Sequence, residues 1–558
     1  MKKHFLGSGL AALLLVAGGM MIPRAAAAEA PPLRLAWNYA GAACLEQSTN
    51  ADLLRQALAR PATKKLLERV ADRLATAPER LAGRCLGERP VTVAPWVRGM
   101  VVDLATRPSR GEWRGAGTND WGECAVALRA DEATVKRWAR AWSALTRAFG
   151  AEPPVAAPKG AAGWRVARWA RSGLASACGR VPGGVGVAVG RDPVALLARV
   201  AARKEPLPPG AWLELRSDPA AVLGRPELPR VRMSVAGYKK RVRAVATLKF
   251  ARPLPVSLET WRIPTRLVRE PLISFTAARG VAPLLAKIPW IRRLGLTPLP
   301  NQLFTWSLGI HPSQSYLAFP HPDPAGALRK IYPALKTEFE RRFPFLKPAQ
   351  LVYLPEVNRI SVTNLVMAAT FLMAVPEQAP GFLVGGFSLP LYLRGKPAPA
   401  ALFQQVTAAP RLLYYHWELT QPRVEMLWHV ANYWGIVHTY VPAPAGGAFA
   451  GWLRDKGVAS CLGNTVTQAT LESPTEIRVV RSGAVGLTAY ELIRLTRWLD
   501  GRNFPLPTPP LTAREQLRER LKSAQPGARK HPAPASGKHS PPRPAAKPSP
   551  VHRPAAHR

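Results

Sequence analysis

Acidic residues are scarce in this chain. Only 35 Asp and Glu stand against 77 Lys and Arg in 558 residues, a formal net charge of +42. Glycoside hydrolysis needs two carboxylates set against one bond, and among Asp103, Asp120, Glu123, Glu259, Glu270, Asp323 and Glu356 no two are singled out by their surroundings. Glu259 and Glu270 flank Arg262, Arg266 and Arg269, so ion pairing is their expected role. Cysteine is sparser still. Cys44, Cys85, Cys124, Cys178 and Cys461 show neither a CxxC nor a zinc-like spacing, which argues against metal and thioredoxin-like readings. Their odd number leaves at least one thiol unpaired. Cys44 with Cys85, flanking a helical segment, is the first pair to test, and the pairing stays open. Cys124, in Cys124-x-Val126-x-Leu128, is expected to face a core.

HExxH, GxSxG, SxxK and P-loop patterns are also missing. Gly184-x-Gly186-x-x-x-Gly190 places its glycines inside a strand, with Asp192 where a phosphate would need N–H donors. No cofactor and no metal is therefore implied. Beyond the first residues no apolar run is long enough to cross a bilayer; residues 364–375 read as a buried strand or helix.

What is present begins at the start of the chain. Lys2 and Lys3 precede an apolar run from Phe5 to Ile22, a break at Pro23-Arg24 and a run of alanines to Ala28. This is the layout of a secretory signal peptide, with cleavage expected before Glu29. A retained anchor is the competing reading, weakened by four glycines in the run and the Pro that ends it. No Cys follows the run to carry a lipid. Export places the mature chain in the periplasm or outside the cell and permits disulfides.

Removing the leader leaves +39. Such a charge favours acidic partners. Outside the cytosol these are anionic envelope polymers and lipid head groups, and nucleic acid is not expected. The abundance of Arg, Ala, Pro and Gly has a second explanation, a GC-rich coding sequence.

Hydrophobic residues make up 47% of the chain, enough for a real core. A strand, turn, acidic cap and helix recur along it. Residues 121–129 alternate as a strand, and Asp131 then caps a helix carrying Val135, Trp138, Trp142, Leu145 and Phe149 at spacings of three and four. Asp192-Pro193, Asp218-Pro219 and Asp323-Pro324 repeat the device, because Asp accepts free N–H groups of a first turn and Pro at N1 loses no helical bond. The helix after Asp323 is expected to bend at Pro333. Thr488-Ala489-Tyr490-Glu491 is a capping box. Between these lies a hairpin. Val231, Met233 and Val235 in one strand, and Val242, Ala244, Ala246 and Leu248 in the next, face one way; Arg241, Arg243 and Lys249 face the other; Gly237-Tyr238 is the expected turn.

The expected fold is α+β: tandem strand-strand-helix units, antiparallel sheets covered by helices, and a disordered C-terminal tail. The expected divisions are a leader (1–28), an N-terminal α+β domain (29–205), a central one (206–395), a C-terminal one (396–510) and a basic Pro-rich tail (511–558). The tail from Pro526 has no acid and one bulky apolar residue, Val551, so it cannot bury enough surface to fold.

Two groups of residues are candidates for function. Lys530, Lys538, Arg543, Lys547, Arg553 and Arg558 in the tail, with Lys239, Lys240, Arg241 and Arg243 of the hairpin, are candidate polyanion contacts. His416, Glu425 and His429 are candidate catalytic groups in an aromatic stretch that extends to His438. Glu425 and His429 share a helix face at a spacing of four. Tryptophans beside arginines (Trp113-Arg114, Trp164-Arg165, Trp261-Arg262) are candidate stacking surfaces, with core packing the plainer role.

TNADLL at 49–54, LETWRIPTRLVREPLISFTAARGVAPLL at 258–285 and PNQLFTW at 300–306 resemble a family of uncharacterised exported bacterial proteins. The resemblance spans much of the mature chain and brings no activity or functional residues with it. The expected function is that of a non-enzymatic envelope protein binding anionic polymer or a protein partner. The alternatives are an extracytoplasmic hydrolase with a site at 414–438, and an envelope assembly factor.

Overall fold

The computed structural model describes residues 31–504 except 81–91, 116–121, 158–162, 171–172, 204, 310–313, 343–348, 365–368, 376, 378, 387–394, 438–446 and 502–503. The leader, the tail with its six candidate polyanion contacts, Cys85 and His438 lie outside the described residues.

The alternating segments of the first half fold as β1 (Leu33–Tyr39), β2 (Ser109–Arg114), β3 (Glu123–Arg129), β4 (Val155–Ala156), β5 (Arg165–Trp169), β6 (Leu174–Val181), β7 (Gly184–Gly190), β8 (Ala211–Ser217), β9 (Arg230–Tyr238) and β10 (Arg241–Lys249). Helices α1 (Asp52–Ala59), α2 (Pro61–Ala75) and α3 (Ala94–Thr106) lie between β1 and β2, α4 (Glu132–Ala148) follows β3, and α5 (Pro193–Ala202) follows β7. The second half supplies β11 (Ser274–Arg279), β12 (Gln302–Ser307), β13 (Ser315–Pro320), β14 (Gln350–Leu354), β15 (Arg359–Thr363), β16 (Ala369–Ala374), β17 (Phe382–Gly386), β18 (Leu412–Leu419), β19 (Asn464–Ser473) and β20 (Glu476–Gly483). Its helices include α6 (Pro324–Arg342) after β13, α7 (Ala400–Thr407) after β17, α8 (Thr420–Val437) after β18 and α9 (Ala489–Asp500) after β20.

The protein is thus mixed α+β, built on one large sheet whose described strand pairs are all antiparallel. The two halves have the same strand order. The first runs β4-β5-β6-β7-β3-β2-β1-β8-β9-β10. The second runs β14-β15-β16-β17-β13-β12-β11-β18-β19-β20. They join edge to edge through β10 and β20, with Val242 opposite Gly483 and Lys249 opposite Glu476. Each half also leaves its first strand through a glycine in the left-handed region, Gly41 (φ 90°) and Gly280 (φ 74°). The described residues belong to one compact unit, in which β1 pairs with β8 across position 205 and β11 with β18 across position 395.

Helices pack on both faces of the first half. Val135, Trp138, Trp142 and Leu145 of α4 bury against Cys124, Val126 and Leu128 of β3, and α1, α2 and α3 enlarge the same core around Trp37. Leu196, Leu197 and Val200 of α5 take the opposite face, against Ala125, Ala127 and Ala188. In the second half α6 packs with Phe319, Ile360, Leu372 and Leu383. Phe403 and Val406 of α7 pack with Phe275 and Tyr415 on the opposite face.

The caps form as their chemistry dictates: Asp131 accepts from Thr134 N–H, Asp192 from Ala195, Asp218 from Ala221, and the Thr488–Glu491 box closes. Two local expectations change, the hairpin turn and the Cys44–Cys85 pair. The hairpin turns at Lys239-Lys240, both at positive φ (49° and 66°), so Gly237 and Tyr238 remain in β9. Helix α6 runs through Pro333 to Arg342. Cys44 is a half-buried free thiol. Cys124 is 2% exposed.

Candidate functional site

Residues directly opposite in an antiparallel ladder share a face. Applied across β8, β9, β10, β20 and β19, this puts Arg216, Arg232, Thr247, Arg478 and Thr470 in one transverse row. Arg230, Lys249 and Glu476 form the row beside it, and Arg243 lies between Ala236 and Ser482 on the same face. The face crosses the junction of the two halves. Some of its cations are neutralised. Arg232 reaches Glu214 at 2.6 Å, Arg216 pairs with Glu214 and Glu205, and Arg230 reaches Asp218 at 3.0 Å. Among the described residues no carboxylate lies within ion-pair distance of Arg243, Lys249 or Arg478, or of Lys239, Lys240 and Arg241 at the turn. Arg243 and Lys239 instead lie over the Tyr238 ring, at 4.8 and 5.3 Å from its centre. Lys249 and Arg478 are exposed.

The same face continues over the first half as a buried charge cluster. Glu112, 1% exposed, meets Arg114 at 2.8 Å, Arg199 at 3.3 Å and Arg203. Burial raises the Glu112 pKa, but the hydrogen bond from Arg114 and the charges of Arg114, Arg203 and Arg199 outweigh it, and the net shift is downward. A cleft of about 370 Å³ lies nearby, lined by Asn38, Ser109, Arg110, Arg129 and the Val181–Gly183 turn. Arg110 is tied to the Ala201 and Arg203 carbonyls, so its role there is to hold the chain.

The opposite face of the second half carries a polar lattice. One row reads Thr305, Thr276, His416, Thr467, Arg481; the next reads Ser315, Ser307, Ser274, Glu418, Thr465. The equivalent positions of the first half, given by its matching strand order and register, hold Gly111, Trp37, Leu215 and Met233 in one row and Cys124, Trp113 and Leu35 in the other. Thr276 Oγ1 lies 2.8 Å from His416 Nδ1, and His416 Nε2 lies 3.2 Å from Glu418 Oε2. Glu418, 2% exposed, accepts the Ala489 N–H on its other oxygen at 2.7 Å. In the neutral tautomer that donates its Nε2 hydrogen to Glu418, Nδ1 accepts from the Thr276 hydroxyl. Arg423 donates to Ser307 at 2.6 Å, and Arg481 grips both Glu491 oxygens at 2.7 and 2.8 Å. Burial raises the Tyr414 pKa, and its ring stacks on His416.

Of the candidate catalytic residues, His416 sits in this lattice, while Glu425 and His429 lie exposed on α8. Glu425 accepts from Gln421 at 3.2 Å. Thr276, Thr305, Glu418 and Arg423 were not singled out as a set by the sequence, because they come from different elements. The tryptophan contacts differ from the adjacent pairs expected. Arg34 lies over Trp113, since the strand neighbours Trp113 and Arg114 point to opposite faces, and Arg279 lies over Trp261, which stands outside the strands. Among the described residues no cluster of three His, Cys, Asp or Glu is placed to hold a metal, and no helix is long and apolar enough to cross a membrane. Comparison with models of protein families, with curated proteins and with solved structures gave no match.

Proposed function

We propose that this is an exported envelope protein that holds anionic polymer or lipid head groups against the cationic face at the junction of its two halves. One observation carries the reading: Arg243, Lys249 and Arg478 project from adjacent strands with no carboxylate partner among the described residues. Guanidinium and ammonium groups carried along two adjacent strands match the repeating phosphates or carboxylates of a linear polyanion. The partly neutralised Arg216, Arg230 and Arg232 lengthen the track. The tail cations from Lys530 to Arg558 add a second, sequence-tolerant contact, and the two tandem halves serve as the rigid frame.

The test is sedimentation of mature protein with vesicles containing anionic lipid and with purified anionic wall polymer, over a salt series. An anionic surface contributes about 1 kcal/mol per nearby cation. Reversing three charges (R243E/K249E/R478E) is therefore expected to weaken binding about 100-fold or more at low salt. Removing residues 526–558 is expected to weaken it further. Absence of binding at low salt, or binding indifferent to salt and to the triple reversal, overturns the proposal.

A further inference from the structure

We propose that Thr276 is a nucleophile for acyl transfer from carboxylic esters, with His416 as its general base and Glu418 as the residue that positions the imidazole. The chain Thr276 Oγ1–His416–Glu418, at 2.8 and 3.2 Å, is the hydroxyl, base and buried-carboxylate order that nucleophilic catalysis requires. Accessibility follows from the fold. In the first half residues 40–108 join β1 to β2, and the helices they contain seal Trp37 at 2% exposure. In the second half residues 280–301 make the same connection with two short helices, Ala282–Leu285 and Pro289–Arg293. Thr305 is consequently exposed and Thr276 half-buried, while Glu418 stays buried behind them. The fold does not demand a polar lattice here, because the first half builds the same strand order with Trp37 and Leu215 in place of Thr276 and His416.

The neighbouring charges select the electrophile. Arg481 is paired with Glu491, and Arg423 donates to Ser307 with Glu418 as its nearby counter-charge, so neither cation is left uncompensated for a phosphate. A neutral ester carbonyl suits the site, with the hydroxyl of Thr305, opposite Thr276 in the ladder, as the donor assigned to the developing oxyanion. Thr276 Oγ bonds to the acyl carbon as His416 Nδ1 takes its proton. The C–O bond to the alcohol breaks, and the proton passes to the leaving alkoxide. Water, deprotonated by the same nitrogen, then releases the acid and restores Thr276. The cationic face lies on the other side of the sheet, so this activity and polyanion binding stand or fall separately.

The test is labelling of the mature chain with a fluorophosphonate, which loses fluoride to the attacking oxygen, together with turnover of a p-nitrophenyl ester. Peptide mapping is expected to place the adduct on Thr276. T276A should abolish label and turnover, and T276S should keep both. H416A should slow labelling by 100-fold or more. E418Q should lower kcat with KM unchanged, and a purely structural role would not separate the two. Hydrogen exchange of β11 and β18 checks that each variant is folded. No adduct on Thr276 of folded wild-type protein, or an adduct formed equally fast in folded H416A, overturns the proposal.

Discussion

Trp37 and Thr276 occupy the same position in the two halves, each in the strand that starts its half and each four residues before a glycine with positive φ. One is core and the other is a half-exposed hydroxyl, and their substitutions should differ accordingly. Trp37→Ala removes a side chain that is 2% exposed and is expected to cost about 3–5 kcal/mol. Thr276→Ala removes one hydrogen bond on an open face, about 1 kcal/mol. Urea unfolding of the two variants checks the contrast; equal losses would mean that the lattice is as structural as the core.

Local chemistry made the helix starts legible. Asp131, Asp192, Asp218 and Thr488 each cap through atoms within three residues, so a few letters suffice. The hairpin strands were legible from alternation. Their turn was not, because two lysines hold the left-handed conformation that Gly or Asn usually takes. The order of the strands depends on ladders between distant segments, such as β10 with β20. Period-two patterning gives a strand's faces but not its neighbour. Thr276 and His416 are 140 residues apart and meet only through the β11–β18 register. Thr276 stands inside the phrase at 258–285, whose resemblance brings no functional residues with it.

The lysine turn offers a direct measurement. Replacing Lys239-Lys240 by Asn-Gly supplies residues suited to positive φ at both positions. The expected gain is about 1 kcal/mol in thermal or urea unfolding, because the left-handed conformation costs a lysine more than it costs Asn or Gly. The same variant removes two cations beside the proposed polyanion face, so affinity should fall while stability rises. A parallel fall in both would assign the lysines a structural role instead.

Glu112 links stability to pH. Its pKa is depressed in the folded protein, so its contribution is complete above the unfolded carboxylate value and is lost as pH falls through the folded value. Glu112→Gln keeps the shape and leaves Arg114, Arg199 and Arg203 facing a neutral group. Breaking a buried ion cluster in this way costs about 3–5 kcal/mol. The variant should also lose part of the wild type's stability gain between acid and neutral pH. Unfolding midpoints of both proteins from pH 3 to 7 test this, and parallel curves would exclude Glu112 as the source.

The seam between the halves should be the weakest place to insert proline and the most informative. Ala246 lies in β10 with Met233 opposite on one side and Val479 on the other, so its strand is flanked on both edges. Proline there removes a ladder hydrogen bond from a central strand, where no solvent replaces it. Val155 in β4 is the control: it is 52% exposed, in a two-residue strand whose described pairing is with β5 on one side. Val155→Pro is expected to stay within about 0.5 kcal/mol of wild type. Ala246→Pro should uncouple the halves, so that unfolding followed by hydrogen exchange shows β1–β9 and β11–β19 opening separately. A single cooperative transition in that variant, close to the wild-type midpoint, would show that the halves are held together by something other than the β10–β20 ladder.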